Sequence, residues 1–248
     1  MKLLLVNPNI STDVTEVMAA EARRSASAGT EIVAATARFG ALYIENRVEA
    51  AIASHAVLDA LAEHGAGVDG AIVSAFGDPG LAAARELFDI PIVGLEESAL
   101  LIAWTLGRRC SIVAMTERLG TWFREAAREH GLDGRLVSVR ALAAGPSDIA
   151  RAKDELRDRL IAEALKAVDE DGAEVVILGG GPIAGLAREA ADQIPVPTLD
   201  GVSCAVRLAE ALVGLTPRPP ERGSFARPPA KPARGLSSPL GKLIDRAP

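Results

Sequence analysis

Polar side chains follow three predicted strands at the points where the strands end: Asn7, Asn9, Ser74, Asp78 and Thr116. Amide and hydroxyl groups bind a small anion or a ring amide, and a hydroxyl or carboxyl group can also move a proton. We therefore treat Ser74, Asp78 and Thr116 as catalytic candidates, and Asn7 and Asn9 as substrate-binding candidates. Asn9 and Asp78 have a second interpretation, in which they only satisfy backbone groups of a turn or a helix end.

Two glycine-rich turns offer backbone amides for binding. Residues 71–86 read AIVSAFGDPGLAAARE and residues 175–187 read VVILGGGPIAGLA, so in each an apolar strand breaks into a turn and restarts as a helix. Amides near a helix N-terminus bind carboxylate or enolate oxygen. We expect seven further binding residues on these turns: Ala75, Phe76, Gly77, Gly179, Gly180, Gly181 and Pro182.

The two turns belong to an internal repeat. Placing Leu178 on Val73 brings Gly180 onto Ala75 without a gap, and the Ile-Pro strands downstream then match after one deletion. Two copies of one α/β unit would turn their strand-end loops toward each other, and ligands of parallel sheets bind at the carboxyl ends of strands. The repeat therefore predicts that Ala75 and Gly180 lie across one cavity.

A loop at residues 39–45 contains Tyr43, the single tyrosine of the chain, and Glu45. If this loop covers the cavity, Tyr43 binds the substrate and Glu45 supplies a general acid or base. An ordinary surface loop is the alternative. The three histidines fall on or at the ends of predicted helices, where we expect structural or solvated roles.

Strands and helices alternate through most of the chain. Predicted strands cover residues 3–6, 31–35, 68–73, 110–115 and 136–139, and predicted helices cover residues 12–27, 46–64, 96–106, 117–130 and 147–168. The pattern predicts an α/β protein with two similar doubly wound parallel-sheet domains and a site in the cleft between them.

The expected domain boundaries follow the repeat. The first domain covers residues 1–96 and is rejoined by a last helix at 200–214, and the second covers residues 97–199. Residues 216–248 are rich in Pro, Gly, Ser and Arg. They are predicted to form a disordered tail, and removal of residues 217–248 is expected to leave the fold intact.

The composition excludes several classes of protein. The chain has 248 residues, 49% of them hydrophobic, and a net charge of −6, so it can bury a core and offers no broad basic surface for nucleic acid. No stretch reaches the roughly 20 apolar residues of a membrane span, and the first residues lack a signal-type segment. We therefore expect a cytoplasmic protein with neither nucleic acid nor membrane as a partner. A small-molecule substrate and assembly as a homo-oligomer are further expectations.

The sequence also lacks the spacings of common cofactor sites. Neither a dinucleotide-type glycine pattern nor a P-loop is present. Asp78, Glu45 and Asp200 carry carboxylates that could hold a divalent cation, but no spacing requires one. We expect no cofactor and no metal.

Three motifs together resemble the aspartate/glutamate racemase superfamily, and most closely its hydantoin and allantoin racemase branch. They are NPN after the first strand, FGDPGL in the first glycine-rich turn and LGGGPIAGLA in the second glycine-rich turn. The resemblance covers residues 1–214. The resemblance implies two similar α/β domains, no cofactor, and a substrate held between two cysteines that remove and return a proton.

Those two cysteines are absent from this sequence. The family pattern places a cysteine immediately before the phenylalanine of FGDPGL and another in the second glycine turn, where this chain has Ala75 and Gly180. Neither side chain can take a proton. Cys110 and Cys204 fall in a predicted strand and helix, where we expect them to be packed in the core.

The sequence thus predicts an isomerase-type enzyme of this superfamily that acts on a small cyclic amide or carboxylate by a mechanism without thiols. Decarboxylation, hydrolysis and elimination are alternative reactions on the same scaffold. A ligand-binding protein without catalytic activity is an alternative from another class.

Overall fold

The two halves of the chain each form a four-stranded parallel sheet in the computed structural model, which describes residues 1–215 and 219–245. The first sheet contains β1 (Lys2–Asn7), β2 (Glu31–Thr36), β3 (Gly70–Val73) and β4 (Ile92–Gly94) in the order β2-β1-β3-β4. The second contains β5 (Cys110–Ala114), β6 (Leu136–Ala141), β7 (Val175–Gly179) and β8 (Thr198–Asp200) in the order β6-β5-β7-β8. The identical orders confirm the predicted fold of two similar parallel-sheet units.

Nine helices connect and cover the strands within the described residues. They are α1 (Thr12–Ser25), α2 (Arg47–His64), α3 (Leu81–Leu87), α4 (Leu95–Leu106), α5 (Glu117–Glu129), α6 (Ala152–Asp169), α7 (Leu186–Glu189), α8 (Gly201–Leu215) and α9 (Ser238–Ile244). None of these helices has both the length and the apolar character that a bilayer span requires.

The central strands are apolar on both faces. Leu3, Leu4 and Leu5 are all fully buried, as are the side chains along β7. Continuous apolar runs are typical of parallel strands because helices cover both faces of the sheet. The carboxyl ends of β1 and β3, which pair directly, therefore lie side by side and carry their loops to the same edge.

Helices α4 and α8 are exchanged between the halves. α4 follows the first sheet but packs on β7 and β8, whereas α8 follows the second sheet and packs on β3 and β4. The two helices also pack against each other near their first residues, where a Cβ on Gly201 would lie 2.8 Å from the Cβ of Leu95. Only glycine permits this approach, which holds the two sheets together and points their strand-end loops at one another.

The C-terminal segment differs from the sequence prediction. Residues 238–244 form α9, which packs on α2 and buries Leu240 to 1% exposure. Ser237 caps this helix by accepting a hydrogen bond from the amide of Leu240. The prediction of a wholly disordered tail is therefore wrong for this stretch, where a capped helix places one apolar side chain in a buried site against the body. Residues 216–218 and 246–248, which the prediction also covered, lie outside the described part of the chain.

The buried contact of Leu240 predicts that the tail stabilises the fold. Leu240→Ala should lower the free energy of unfolding by about 2 kcal/mol, near the lower end for buried leucines, and the melting temperature by about 4–8 °C. The matched control is Leu215→Ala at the exposed end of α8, where 73% of the leucine is accessible, and its effect should stay within about 0.5 kcal/mol. Equal melting temperatures for Leu240→Ala and the parent protein would contradict the packing of α9.

Candidate active site

A small cavity lies between the halves at the carboxyl ends of the strands. Seven of the residues expected at the site line it: Asn9, Tyr43, Ser74, Phe76, Gly180, Gly181 and Pro182. Six apolar residues complete the lining and were not expected from the sequence: Val14, Met18, Ile44, Met115, Leu119 and Phe123. Both glycine turns thus meet at one cavity, and Ala75 lies in the chain between two of its lining residues.

The cavity has a volume of about 30 Å³, which accommodates only one or two water molecules. Met18 and Met115 form part of its wall, and the hydroxyl of Ser74 donates to the Met18 sulfur at 3.1 Å. Methionine side chains are flexible and fill irregular space. The structure is therefore a closed form, and a ring-sized ligand requires these side chains or the Tyr43 loop to move.

The loop after β1 fixes the orientation of Asn9. The Asn7 side-chain nitrogen donates to Asn9 Oδ1 at 2.9 Å, and the backbone amide of Ser11 donates to the same oxygen at 2.9 Å. Because two donors hold Oδ1, the amide group cannot be reversed. The Asn9 Nδ2 group has no protein acceptor among the described residues, and it remains available to a ligand. Asn7 is fully buried and acts behind the cavity instead of lining it.

Tyr43 brings a second donor to the cavity. Its phenolic oxygen is buried and has no hydrogen-bond partner. Burial raises the pKa of Tyr43 well above its usual range, and the charges of Glu45 and Glu49 raise it further. The hydroxyl therefore stays protonated. It can donate a hydrogen bond to a neutral or anionic ligand or accept one from it.

Trp122 supports the first glycine turn from the second half. Gly77 has a φ of +103°, and a Cβ at this position would lie 2.5 Å from the indole ring of Trp122. A side chain at Gly77 is thus excluded by backbone conformation and by packing. The contact fixes the backbone that follows Phe76, the residue that lines the cavity.

Asp78 serves the fold at this turn. Its carboxylate accepts hydrogen bonds from the amides of Glu96 at 3.0 Å and Glu97 at 2.8 Å, which belong to the first turn of α4. Its Oδ2 also lies 3.2 Å from Nε2 of His130, at the end of α5 in the other half. Asp78 does not line the cavity, and the structure places it in the helix-cap role that was the second interpretation of its sequence.

Glu96 lies beside this pair as a second buried carboxyl group. Its side chain is fully buried, and neither oxygen has a hydrogen-bond partner. The amides of Gly77 and Ala127 are close enough to lower its pKa slightly, but they do not reach hydrogen-bond geometry. Burial, and then the charge of Asp78, raise the pKa of Glu96 well above its usual range, because both disfavour the charged carboxylate.

His130 is the basic partner in this cluster. Burial disfavours its charged form, but the hydrogen bond and the charge of Asp78 outweigh burial and raise its pKa. The sequence did not indicate this role, because Asp78 and His130 are distant in the chain and belong to different halves.

A second ion pair joins the two halves beside the second glycine turn. Arg188 of α7 donates to Glu21 of α1 at 2.5 Å, and the hydroxyl of Ser203 donates to the same carboxylate oxygen at 3.0 Å. The backbone amide of Ser203 donates to the carboxylate of Asp200, the last residue of β8, at 2.9 Å. The pairs Asp78–His130 and Glu21–Arg188 thus each join the two halves, one beside each glycine turn.

The other proposed catalytic groups lie outside the cavity. Thr116 caps α5 by accepting a hydrogen bond from the amide of Leu119 at 3.3 Å. Glu45 borders a neighbouring groove with Arg47 and Trp122. Gly179 is the last residue of β7 and lies against Ile112 and Phe123.

Neither cysteine reaches the cavity. Cys110 and Cys204 are both buried, and burial raises the pKa of Cys110 to about 11. Burial also raises the pKa of Cys204, and the charge of Asp200 adds to this effect. Both are therefore neutral core thiols. Within residues 1–215 and 219–245, no three His, Cys, Asp or Glu side chains are arranged to hold a metal ion.

Fold and cavity together define a duplicated α/β protein with a small cavity between its halves. Residues 3–209 match the model of a family described as Asp/Glu/Hydantoin racemase. Hydantoin racemase of Paenarthrobacter aurescens is 33% identical over 233 residues, which cover 93% of this chain and 99% of that protein. The chain belongs to the Asp/Glu/hydantoin racemase family, and the resemblance inferred from its motifs is confirmed.

Solved structures agree with this assignment. An allantoin racemase from Klebsiella pneumoniae has a TM-score of 0.92 and 33% identity, over 97% of this chain and 99% of that chain. A variant of arylmalonate decarboxylase has a TM-score of 0.66 and 15% identity, over 90% of this chain and 96% of that chain, and shares the fold. The prediction of an isomerase-type enzyme is confirmed at the level of the family, whose named relatives are racemases.

The contact between His130 and Asp78 predicts a stability that depends on pH. The pKa of His130 is raised in the folded state. Its charged contact with Asp78 therefore stabilises the fold fully below the unfolded-state pKa of about 6.5, and this stabilisation is lost as the pH rises through the folded-state pKa. His130→Gln should therefore lower the melting temperature most at pH 5.5–6, with a difference that shrinks toward pH 8.5. His64→Gln, at the exposed end of α2, is the control and should show no such trend. A deficit of His130→Gln that stays constant across this range would contradict the ion pair.

Proposed function

We propose that the protein is a cofactor-independent enzyme that binds a small hydantoin-like cyclic amide, or a small carboxylate, in the cavity between its halves. The observation that carries the proposal is the pair of donors without protein acceptors, Asn9 Nδ2 and the Tyr43 hydroxyl, at the point where both glycine turns meet. A ligand with carbonyl or carboxylate oxygens satisfies both donors. Cyclic amides are also the substrates after which several relatives of this chain are named.

The remaining surface of the cavity suits a small ring. Apolar walls formed by Met18, Met115, Phe76 and Phe123 exclude water around a bound ligand. In such an environment a hydrogen bond to the ligand is stronger than in water. A buried donor that is left without an acceptor also costs more free energy there than in water. Discrimination between ligands would then depend on whether their oxygens reach both donors.

Opening of the cavity would involve the segment that carries Tyr43. The residues that follow it lead into α2, where Arg47 forms an ion pair with Glu125 of α5. This pair is exposed and spans the two halves beside the cavity, so it is weak enough to break during opening.

The reaction is proposed to proceed without a thiol. Ser74 and Tyr43 carry the hydroxyl groups that line the cavity, and neither is ionised in its observed environment. Proton abstraction would therefore require a bound water or a base that reaches the cavity on opening. Decarboxylation or another reaction that needs a single proton transfer fits this set of groups as well.

A second candidate function is ligand binding without catalysis. It is favoured by one observation, which is that no carboxylate, imidazole or ammonium group lines the cavity within the described residues. Exchange of the ligand's stereocentre proton for solvent deuterium distinguishes the candidates. A racemase exchanges it, a lyase or hydrolase forms a new compound, and a binding protein does neither.

Tyr43→Phe should separate the binding role of the hydroxyl from any structural role. Because the phenolic oxygen has no protein partner, its removal should leave the melting temperature unchanged or slightly higher. The same change should weaken binding of a hydantoin or carboxylate ligand about fivefold, as expected for one lost hydrogen bond of about 1 kcal/mol. Calorimetric titration and thermal unfolding measure the two effects. A variant that binds as tightly as the parent would remove Tyr43 from the site.

Restoring thiols tests whether the cavity is a racemase site. Ala75→Cys combined with Gly180→Cys should give deuterium exchange at the stereocentre of a hydantoin, since each acid–base group contributes roughly 10²- to 10⁴-fold. The Gly180 change carries strain, because φ is +139° and a Cβ would lie 3.0 Å from the Met115 side chain. Ala75→Cys with Gly180→Ser is the one-thiol control and should exchange far more slowly. Rapid exchange in the parent protein would show that another group acts as the base.

A further inference from the structure

A second cavity lies between the C-terminal segment and the outer face of the first half. It has a volume of about 610 Å³, and its apolar wall comes from the end of α2 and the segment after α3, with Leu61, Leu87, Phe88 and Ile90 among its residues. It shares no residue with the candidate active site. Its size falls within the range of sites that bind small organic molecules.

Arg227 lines this cavity and carries an unused donor. One terminal nitrogen, Nη2, pairs with Asp89 at 2.9 Å, whereas Nη1 is buried and has no hydrogen-bond partner. The side chain is 13% exposed. A buried guanidinium nitrogen without an acceptor is costly, so the geometry points to an acceptor that the protein itself does not supply.

The charges at the cavity favour a ligand with one negative charge. Lys242 of α9 lines the same cavity and forms no ion pair with any residue that the structure describes. Among the described lining residues, Arg227 and Lys242 are cationic and Asp89 carries a carboxylate, which gives this lining an excess of positive charge. A carboxylate placed near Arg227 Nη1 and Lys242 would balance it.

We propose that this cavity binds an amphipathic monocarboxylate, with its carboxylate at Arg227 and Lys242 and its hydrocarbon part on the apolar wall. The site is separate from the candidate active site, so the proposal does not depend on the function proposed above. Because α9 and Arg227 belong to the C-terminal segment and the apolar wall belongs to the body, a bound ligand would hold the two together.

Octanoate is a suitable probe, and octan-1-ol is its uncharged counterpart. Calorimetric titration of the full-length protein with octanoate should show saturable binding of one molecule per chain, with octan-1-ol at least about tenfold weaker. Arg227→Gln should raise the dissociation constant for octanoate about tenfold or more, because one charge-assisted hydrogen bond is lost. Arg222→Gln, an exposed arginine of the same segment, is the matched control and should bind as the parent does.

Arg227→Gln also removes the contact with Asp89 and can release the segment, so a second variant is needed. Ala62→Phe on α2 places a ring in the cavity and keeps both positive charges, and it should also abolish octanoate binding. Tyr43→Phe should bind octanoate as the parent does, which excludes the candidate active site as the source of the signal. Absence of octanoate binding to the parent, equal binding of octan-1-ol, or unchanged binding by Arg227→Gln and Ala62→Phe would each overturn the proposal.

Discussion

The close approach of α4 and α8 is the contact on which the arrangement of the halves depends. Gly201 has no side chain, so the start of α8 lies directly on Leu95 at the start of α4. Each helix covers the sheet of the other half, and neither sheet is therefore buried without its neighbour. A larger residue at Gly201 would separate the helices and, with them, the loops that form the cavity. The cavity is thus a product of core packing more than of the loops themselves.

Charged contacts between the halves lie directly behind the same loops. Asp78 with His130 supports the first glycine turn, and Glu21 with Arg188 lies beside the second. The carboxylates of both pairs are buried, so an arrangement that leaves either of them without its cationic partner is disfavoured. Their role here is to fix the relative position of the two turns, so that small shifts of the halves are penalised.

Much of the fold follows from local sequence patterns. The strand at residues 3–6 and the helix at residues 46–64 were readable because each depends on neighbouring residues, and the glycine turns were readable because the same local pattern occurs twice. The lining residues Met18 and Met115 were not, since their exposure to the cavity depends on how a helix and a strand from different halves pack. The role of Asp78 required its partners, which are 18 and 19 residues further along the chain. Helix α9 did carry a local signal, a serine cap followed by proline at the start of a helix, within a composition typical of disorder.

Trp122 occupies the space that a side chain at Gly77 would fill, and it is partly exposed where the two halves meet. Any movement that separates the first glycine turn from α5 changes the surroundings of this indole ring. The other tryptophan, Trp104, lies on α4 against the guanidinium group of Arg135 and does not touch the turn. The protein therefore contains a natural fluorophore at the junction that must move for a ligand to enter, and its emission reports opening and closing without any added label.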